Sequence, residues 1–379
     1  MERKKLMKFV HIGDIHLGKI IHQYSLLDIQ KELLFQILDD MNKQHIKVLV
    51  IAGDVYDRLI PSQEAVNVLD EFLHKALIDD HITVLMISGN HDSSDRLHFA
   101  SSILNQSGLY IETYLQKEMA YVSIDDVRFY MLPFIKPSHV KALYKVDDIH
   151  DYQQALSYYM DKQIIDKNYK NILITHQFVG HNSTTSESEV PLSVGGSEII
   201  DAHLFDDFDY VALGHLHAPQ KVSRETMRYS GSLMRYSFDE VKQNKSYTIV
   251  DTDSMTIETV PLHPSRDLNK YKGSFNEFMD KDFIIKKDDF LSFELTDETI
   301  IPHAIDRLRI LYPYLLQITY THLLHQQTST KQITNFEKMD QLSLFQTFYE
   351  DVKGIELSSK QLELVQQLLE KSGEDNENH

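Results

Sequence analysis

Apolar residues gather in five short runs, each of which stops at residues with ligating side chains. They are Val10-His11-Ile12 before Gly13-Asp14-Ile15-His16, Val48 to Ile51 before Ala52-Gly53-Asp54, and Val84 to Ile87 before Ser88-Gly89-Asn90-His91-Asp92. Further on come Ile172 to Ile174 before Thr175-His176, and Val211 to Leu213 before Gly214-His215-Leu216-His217. Short, nearly continuous apolar runs predict strands covered on both faces. Between the first two, Leu26, Ile29, Leu33, Leu34, Ile37, Leu38 and Met41 recur at helical spacing and predict a helix within 26–45. Ser62 to Ile78 predicts another, with Ser62 as N-cap and Val66, Leu69, Leu73 and Leu77 on one stripe. Strand, helix, strand, helix, strand is a βαβαβ layer, and such sheets bind ligands beyond the carboxyl ends of their strands.

Gly180 to Gly196, rich in Ser, Thr and Gly, predicts a long loop. From Met227 to Val260, alternating runs such as Tyr247-Thr248-Ile249-Val250 and Thr256-Ile257-Glu258-Thr259-Val260 predict an antiparallel second sheet. The expected fold is α/β, a two-sheet sandwich flanked by helices. Past Pro261 to Pro264 the pattern changes. Phe290 to Leu295 alternates as a strand, a helix follows with Pro302 in its first turn and its end near Pro313, and Leu315 to Tyr320 forms a second strand. This predicts a small β-α-β capping domain. Two amphipathic helices are expected in the tail, the first carrying Leu342, Phe345, Tyr349 and Val352. The second opens on Ser358 and Gln361 and carries Leu362, Val365 and Leu369. The expected divisions are 1–263, 264–338 and 339–379.

With 379 residues, the chain has enough material for a large core and a smaller accessory domain. It has no cysteine, which excludes disulfides, zinc-thiolate fingers and iron–sulfur clusters. Metal ligands must then come from His, carboxylate and amide groups. The basic start, Met1-Glu2-Arg3-Lys4-Lys5, precedes an apolar run broken by Lys8, His11 and Asp14, unlike a signal peptide. No stretch approaches the roughly 20 uncharged residues of a membrane span, so a soluble cytoplasmic protein is expected. The net charge of −19 argues against a broad polyanion-binding surface, though not against phosphate chemistry at a metal centre.

Asp14, His16, Asp54, Asn90, His176, His215 and His217 supply seven candidate ligands, about what two adjacent ions need when one carboxylate bridges them. Two ions roughly 3.5–4 Å apart clamp a phosphate oxygen and acidify water for in-line attack on phosphorus. Glycines at 13, 53, 89 and 214 precede ligands, where sharp turns and close backbone approach are expected. A single buried His or Gly-Asp pair usually serves packing or a turn; five such endings together point to one centre.

The motifs Asp14-Ile15-His16, Gly53 to Asp57, Gly89 to Asp92, His176 and Gly214 to His217 resemble, in order and type, those of the calcineurin-like metallophosphoesterases. The resemblance implies that Asp14, His16, Asp54 and His217 hold one ion, and Asp54, Asn90, His176 and His215 the other. It implies catalytic roles for His91, facing the leaving oxygen, and for Asp57, orienting His91 and keeping it charged. The opening Phe9 to Gly18, the segment Tyr229 to Phe238 and the trailing small domain and tail helices are similar to the D subunits of bacterial SbcCD nucleases. That likeness implies a Mn2+-dependent DNA nuclease, 3′ to 5′ on duplex ends and endonucleolytic on single strands and hairpins. Its partner would be the coiled-coil ATPase SbcC, docked on the tail helices, in a heterotetramer built on a homodimer. The dimer contact would involve Val66, Leu69, Leu97, Phe99 and Ile103. Two alternatives compete. A stand-alone phosphomonoesterase or cyclic-nucleotide phosphodiesterase leaves the capping domain and tail unexplained. A non-catalytic scaffold predicts lost ligands, and none is lost.

Overall fold

The computed structural model describes residues 7–180, 183–189, 199–280 and 282–323, with Gln346, Tyr349, Leu357, Gln361, Leu362 and Val365 beyond them. β1 (Lys8–Ile12) leads through the hairpin β2 (Ile20–Ile21) and β3 (Tyr24–Ser25) into α1 (Leu27–Lys43). β4 (Val48–Ala52), α2 (Gln63–His74) and β5 (Thr83–Ile87) complete the βαβαβ unit, its three main strands adjacent and parallel. The short helices α3 (Ser94–His98) and α4 (Ser101–Leu104) lead to β6 (Leu109–Glu112), which joins β5 in parallel. Then come β7 (Tyr121–Ile124), β8 (Val127–Leu132), α5 (Pro137–Tyr144), α6 (Tyr152–Met160), β9 (Lys170–His176) and β10 (Tyr210–Gly214). β11 (Gln220–Val222), β12 (Arg224–Tyr229), β13 (Ser246–Asp251) and β14 (Ile257–Pro261) finish the sandwich.

The two sheets run β14-β13-β1-β4-β5-β6 and β11-β12-β10-β9-β8-β7. Strand alternation explains the layers. Along β4, Val48, Val50 and Ala52 join Phe9, Leu85 and Ile87 in an inter-sheet core with Phe129, Ile172, Ile174, Tyr210 and Ala212. Leu49 and Ile51 face the other way, into a core with Leu33, Leu34, Ile37 and Leu38 of α1. Both faces are covered, so the strands read as continuous apolar runs rather than alternating ones.

Several expectations are corrected. The runs assigned to a second sheet, β13 and β14, extend the first sheet, β13 antiparallel to β1 and β14 antiparallel to β13. The second sheet is mixed, with β8, β9, β10 and β12 parallel. Alternation reveals that a strand is half-covered, not which strand it pairs with. α2 is capped by Ser62 as predicted, its side chain accepting the Ala65 N–H at 3.2 Å. Its buried face, however, is Ala65, Val68, Leu69 and Phe72, with Val66 at the solvent. The Phe72 ring takes the core position, and the stripe rotates to follow it. Leu69 and Leu97 are buried, whereas Phe99 and Ile103 are 81% and 69% exposed, so the five residues expected at a dimer contact do not share one surface.

Past Pro264 the chain forms β15 (Leu268–Gly273), α7 (Phe275–Met279), β16 (Phe290–Leu295), α8 (Ala304–Arg309) and β17 (Leu315–Tyr320), the strands ordered β15-β16-β17. The expected β-α-β is thus preceded by one more strand and helix. Leu268-Asn-Lys-Tyr-Lys-Gly carries too few apolar residues to announce itself. Pro302 lies two residues before α8 instead of in its first turn. The chain divides into two compact units: residues up to Tyr271 with Ile285–Ser292 and Arg309–Leu316, and Lys272–Ile284, Phe293–Leu308 and residues from Gln317 on. Within the second, Phe278 stacks on Phe293 at 4.0 Å between centroids. The predicted tail helices lie almost wholly outside the described residues. Among the described residues no helix is long and apolar enough to cross a membrane.

Candidate metal centre

All five predicted strand ends meet, but from two sheets: β1, β4 and β5 contribute from one, β9 and β10 from the other. Asp14, His16, His176 and His217 are buried, and Asp54 is 2% exposed. The Nε2 atoms of His16 and His217 lie 3.1 Å apart, with an Asp14 carboxylate oxygen in the same cluster. Across from them, Asn90 Oδ1 is 2.9 Å from His176 Nε2 and 3.1 Å from His215 Nδ1. Asp54 Oδ2 stands between the two groups, 3.5 Å from His16 Nε2 and 3.5 Å from His176 Nε2.

The backbone is bent to achieve this. Asp14, His16, Asp54 and His215 have φ of 50°, 48°, 49° and 112°, a region that costs a non-glycine residue about 1–3 kcal/mol. Hydrogen bonds hold them there. Asp14 N–H donates to Gly53 O at 3.1 Å, His16 N–H to Asp54 O at 2.9 Å, and His215 N–H to Asp14 Oδ1 at 2.8 Å. A Cβ on Gly89 would stand 2.1 Å from Asp54 Oδ1, and one on Gly214 would stand 1.9 Å from Ala52 O. At Gly13 the nearest atoms would be 3.5 Å away, so the close approach expected there is not required.

The electrostatics favour a cation. Burial pushes the Asp14 carboxyl well above its usual range, with the Asp54 charge adding to the effect. Burial pushes Asp54 up as well, but the neighbouring His176 cation outweighs it and holds Asp54 well down. Burial depresses His16 and His217, and takes His215 down to about 3, leaving these imidazoles neutral with lone pairs to offer. Asp14 Oδ2 is buried with no hydrogen-bond partner among the described residues. A nitrogen-and-oxygen donor set without sulfur, an orphaned carboxylate oxygen and neutral imidazoles fit hard or borderline divalent ions.

His91 and Asp57 are also together, with a difference. The His91 N–H donates to Asp54 Oδ1 at 2.9 Å, and its ring stands edge-on to His16 at 4.7 Å between centroids. His91 Nδ1 meets the main-chain carbonyl of Asp57 at 3.0 Å, not the carboxylate as expected. That carboxylate is taken by Lys19 Nζ at 2.9 Å. A carbonyl only accepts, so Nδ1 carries a proton.

Other residues that carried no expected role stand behind these positions. Asp92 accepts the N–H groups of Val55 at 3.1 Å, Tyr56 at 3.0 Å and Gly89 at 2.9 Å, tying the second and third motifs together. Its carboxyl is raised to about 6 by burial and by the Asp54 charge. Gln30, buried on the apolar face of α1, donates to Ile15 O at 2.9 Å and His16 O at 2.8 Å. A polar residue on an otherwise apolar helical face was the available signal. Glu240 and Lys245 stand behind His217 and left no pattern in the sequence.

Residues 7–219 match the family described as calcineurin-like phosphoesterase, which is the class this fold and metal centre define. The match spans more than half of the chain, so the protein is a calcineurin-like phosphoesterase. Residues 264–353 match the family described as type 5 capsule protein repressor C-terminal domain. Over 369 residues the chain is 36% identical to the D subunit of the nuclease SbcCD from Staphylococcus epidermidis, covering 96% of this chain and 98% of that protein. It belongs to the family of SbcCD nuclease D subunits. Among solved structures, TT1561 of Thermus thermophilus aligns over 68% of this chain and all of that one, at 11% identity and a TM-score of 0.40. A dimetal phosphatase from Danio rerio aligns over 68% of this chain and 96% of that one, at 11% identity and 0.39. Similarity that low decides nothing about the site.

Proposed function

We propose that Asp14, His16, Asp54 and His217 hold one Mn2+ and Asp54, Asn90, His176 and His215 a second, and that this centre hydrolyses DNA phosphodiesters. The observation that carries the reading is Asp54 Oδ2, which lies 3.5 Å from a histidine of each group and so would be within reach of an ion held by either. When bound, such an ion pair polarises phosphoryl oxygens and acidifies water for in-line attack. The chain's own residues do the rest. Asn90 and the four imidazoles are carried at or just past the strand ends. Phe134 and Phe178, 6.3 Å from the His176 ring and 6.0 Å from the His215 ring, form an apolar wall beside the second group. His91, its Nδ1–H held by the Asp57 carbonyl, would act in its doubly protonated form, giving the Nε2 proton to the departing strand oxygen and remaining as the Nδ1–H imidazole.

In this reading the protein works in the cytoplasm on the nucleoid as the nuclease component of a complex with the coiled-coil ATPase SbcC. It degrades duplex ends 3′ to 5′ and cuts single strands and hairpins during repair and recombination. A chain carrying −19 benefits from a partner that supplies the DNA grip. Residues 1–263 form the nuclease domain, 264–338 the capping domain and 339–379 the SbcC-binding tail. Exposed Phe99 and Ile103 contribute to a homodimer within a heterotetramer.

The test is a linear duplex labelled at its 3′ ends, incubated with Mn2+ with and without SbcC and ATP against a chelator control. Metal-dependent release of label, raised by partner and ATP, is expected. No release while small phosphodiesters are still hydrolysed would point instead to a small-molecule phosphoesterase.

A further inference from the structure

His176 and His217 face the centre with Nε2, yet their far sides are held differently. His176 Nδ1 meets the main-chain carbonyl of Ala52 at 2.8 Å, an acceptor that the strand supplies. His217 lies three residues past the end of β10, and among the described residues no strand carbonyl is paired with its ring. Behind it instead is the carboxylate of Glu240, fully buried, with Oε1 3.3 Å from His217 Nδ1. Ser188 Oγ stands 2.6 Å from the same Nδ1 and bonds to Glu240 Oε1 as well.

This geometry assigns the protons. A carboxylate only accepts, so the Ser188 hydroxyl proton points to Glu240 and its lone pair faces the imidazole. His217 must then carry its proton on Nδ1, leaving Nε2 bare toward the centre. Glu240 is itself fixed: Oε2 accepts from Lys245 Nζ at 2.7 Å and from the Tyr236 N–H at 3.1 Å. Lys245, also buried, reaches His217 O, Ser232 Oγ and Gln243 Oε1, each at 2.8 Å. The His217 N–H donates to Glu189 Oε1 at 2.7 Å. Ring and main chain are gripped together, by a buried ion pair whose charges have no other evident use.

We propose that Glu240, acting through Ser188 and anchored by Lys245, is the positioning residue that fixes the tautomer and aim of His217 in the first-ion half of the site. This rests on the two-ion reading of the centre. Partners behind ligating histidines of this kind typically govern metal affinity by about 10–100-fold.

The test uses the full chain labelled with 15N-histidine and free of metal, with His217→Gln assigning the resonance, followed by Mn2+ titration. Wild-type protein is expected to show His217 as the Nδ1–H tautomer and to bind two Mn2+. Glu240→Gln replaces a pure acceptor with an amide that presents either a donor or an acceptor to Ser188. It is expected to show both tautomers, to weaken one Mn2+ about 10–100-fold while leaving the other unchanged, and to regain turnover at high Mn2+. If the lone Lys245 cation prevents that variant from folding, the neutral pair Glu240→Gln with Lys245→Met gives the same readout. A single Nδ1–H tautomer in the variants, an Nε2–H tautomer in the wild type, or equal weakening of both ions overturns the proposal. Wild-type protein that binds fewer than two Mn2+ overturns the two-ion reading instead.

Discussion

Replacing Gly89 with alanine tests the centre at its tightest point. The added Cβ would lie 2.1 Å from Asp54 Oδ1, 2.7 Å from Asp54 Cγ and 2.4 Å from the Asp54 main-chain nitrogen. Ordinary carbon–oxygen contact begins at about 3.2 Å, so Asp54 must retreat by about 1 Å, and rotating its side chain does not clear the main-chain nitrogen. Moving Asp54 carries its Oδ2 away from the midpoint between His16 and His176 and strains the His91 N–H bond to Oδ1. Misplacement of about 1 Å typically costs about 10²-fold in rate, and overpacking about 1–3 kcal/mol in stability. Hydrolysis of bis-p-nitrophenyl phosphate with saturating Mn2+ should therefore fall about 10²-fold or more in Gly89→Ala, with the protein still folded by circular dichroism. Gly13→Ala is the control, because its Cβ would meet nothing closer than 3.5 Å, and it should stay within a few-fold of wild type. Full activity in Gly89→Ala would refute the role given to Asp54. Equal loss in both variants would refute the reasoning from space.

His91→Ala should keep both bound ions, counted by metal analysis, and lose about 10²-fold in turnover; an unchanged rate would remove His91 from the mechanism. Deleting residues from Leu342 onward should abolish co-purification with SbcC while sparing hydrolysis of a small phosphodiester, and continued co-purification would contradict the tail's assignment. His11, buried between the sheets with Nδ1 3.0 Å from Tyr210 OH, is held down to about 3 by burial and by the Arg228 charge. Its depressed pKa favours the fold above about pH 6.5, and that contribution is lost as pH falls and the unfolded chain takes up the proton. At pH 5 the loss is about 2 kcal/mol. The pair His11→Leu with Tyr210→Phe should flatten the fall in denaturation midpoint between about pH 6.5 and 5 relative to wild type. An unchanged slope would show that other groups set it.

The sequence by itself determined the parts whose causes are local. Apolar runs covered on both faces announced β1, β4, β5, β9 and β10, and the candidate ligands at their ends were legible because a metal centre needs particular atoms at particular places. The buried face of α1 followed from its spacing, since a helix turns by a fixed angle whatever it meets. What needed the tertiary structure were choices among partners distant along the chain. The five strand ends belong to two sheets, and β13 pairs with β1, and β14 with β13, because strand pairing depends on main-chain groups that every residue offers. Space around a glycine is set by whatever packs over it, so Gly89 and Gly13 look alike in sequence and differ in the fold. Asp57 has the expected position, yet Lys19 claims its carboxylate and leaves the carbonyl to His91. Glu240 and Lys245 find each other and His217 only when burial removes water and makes an unpaired charge too costly to leave alone.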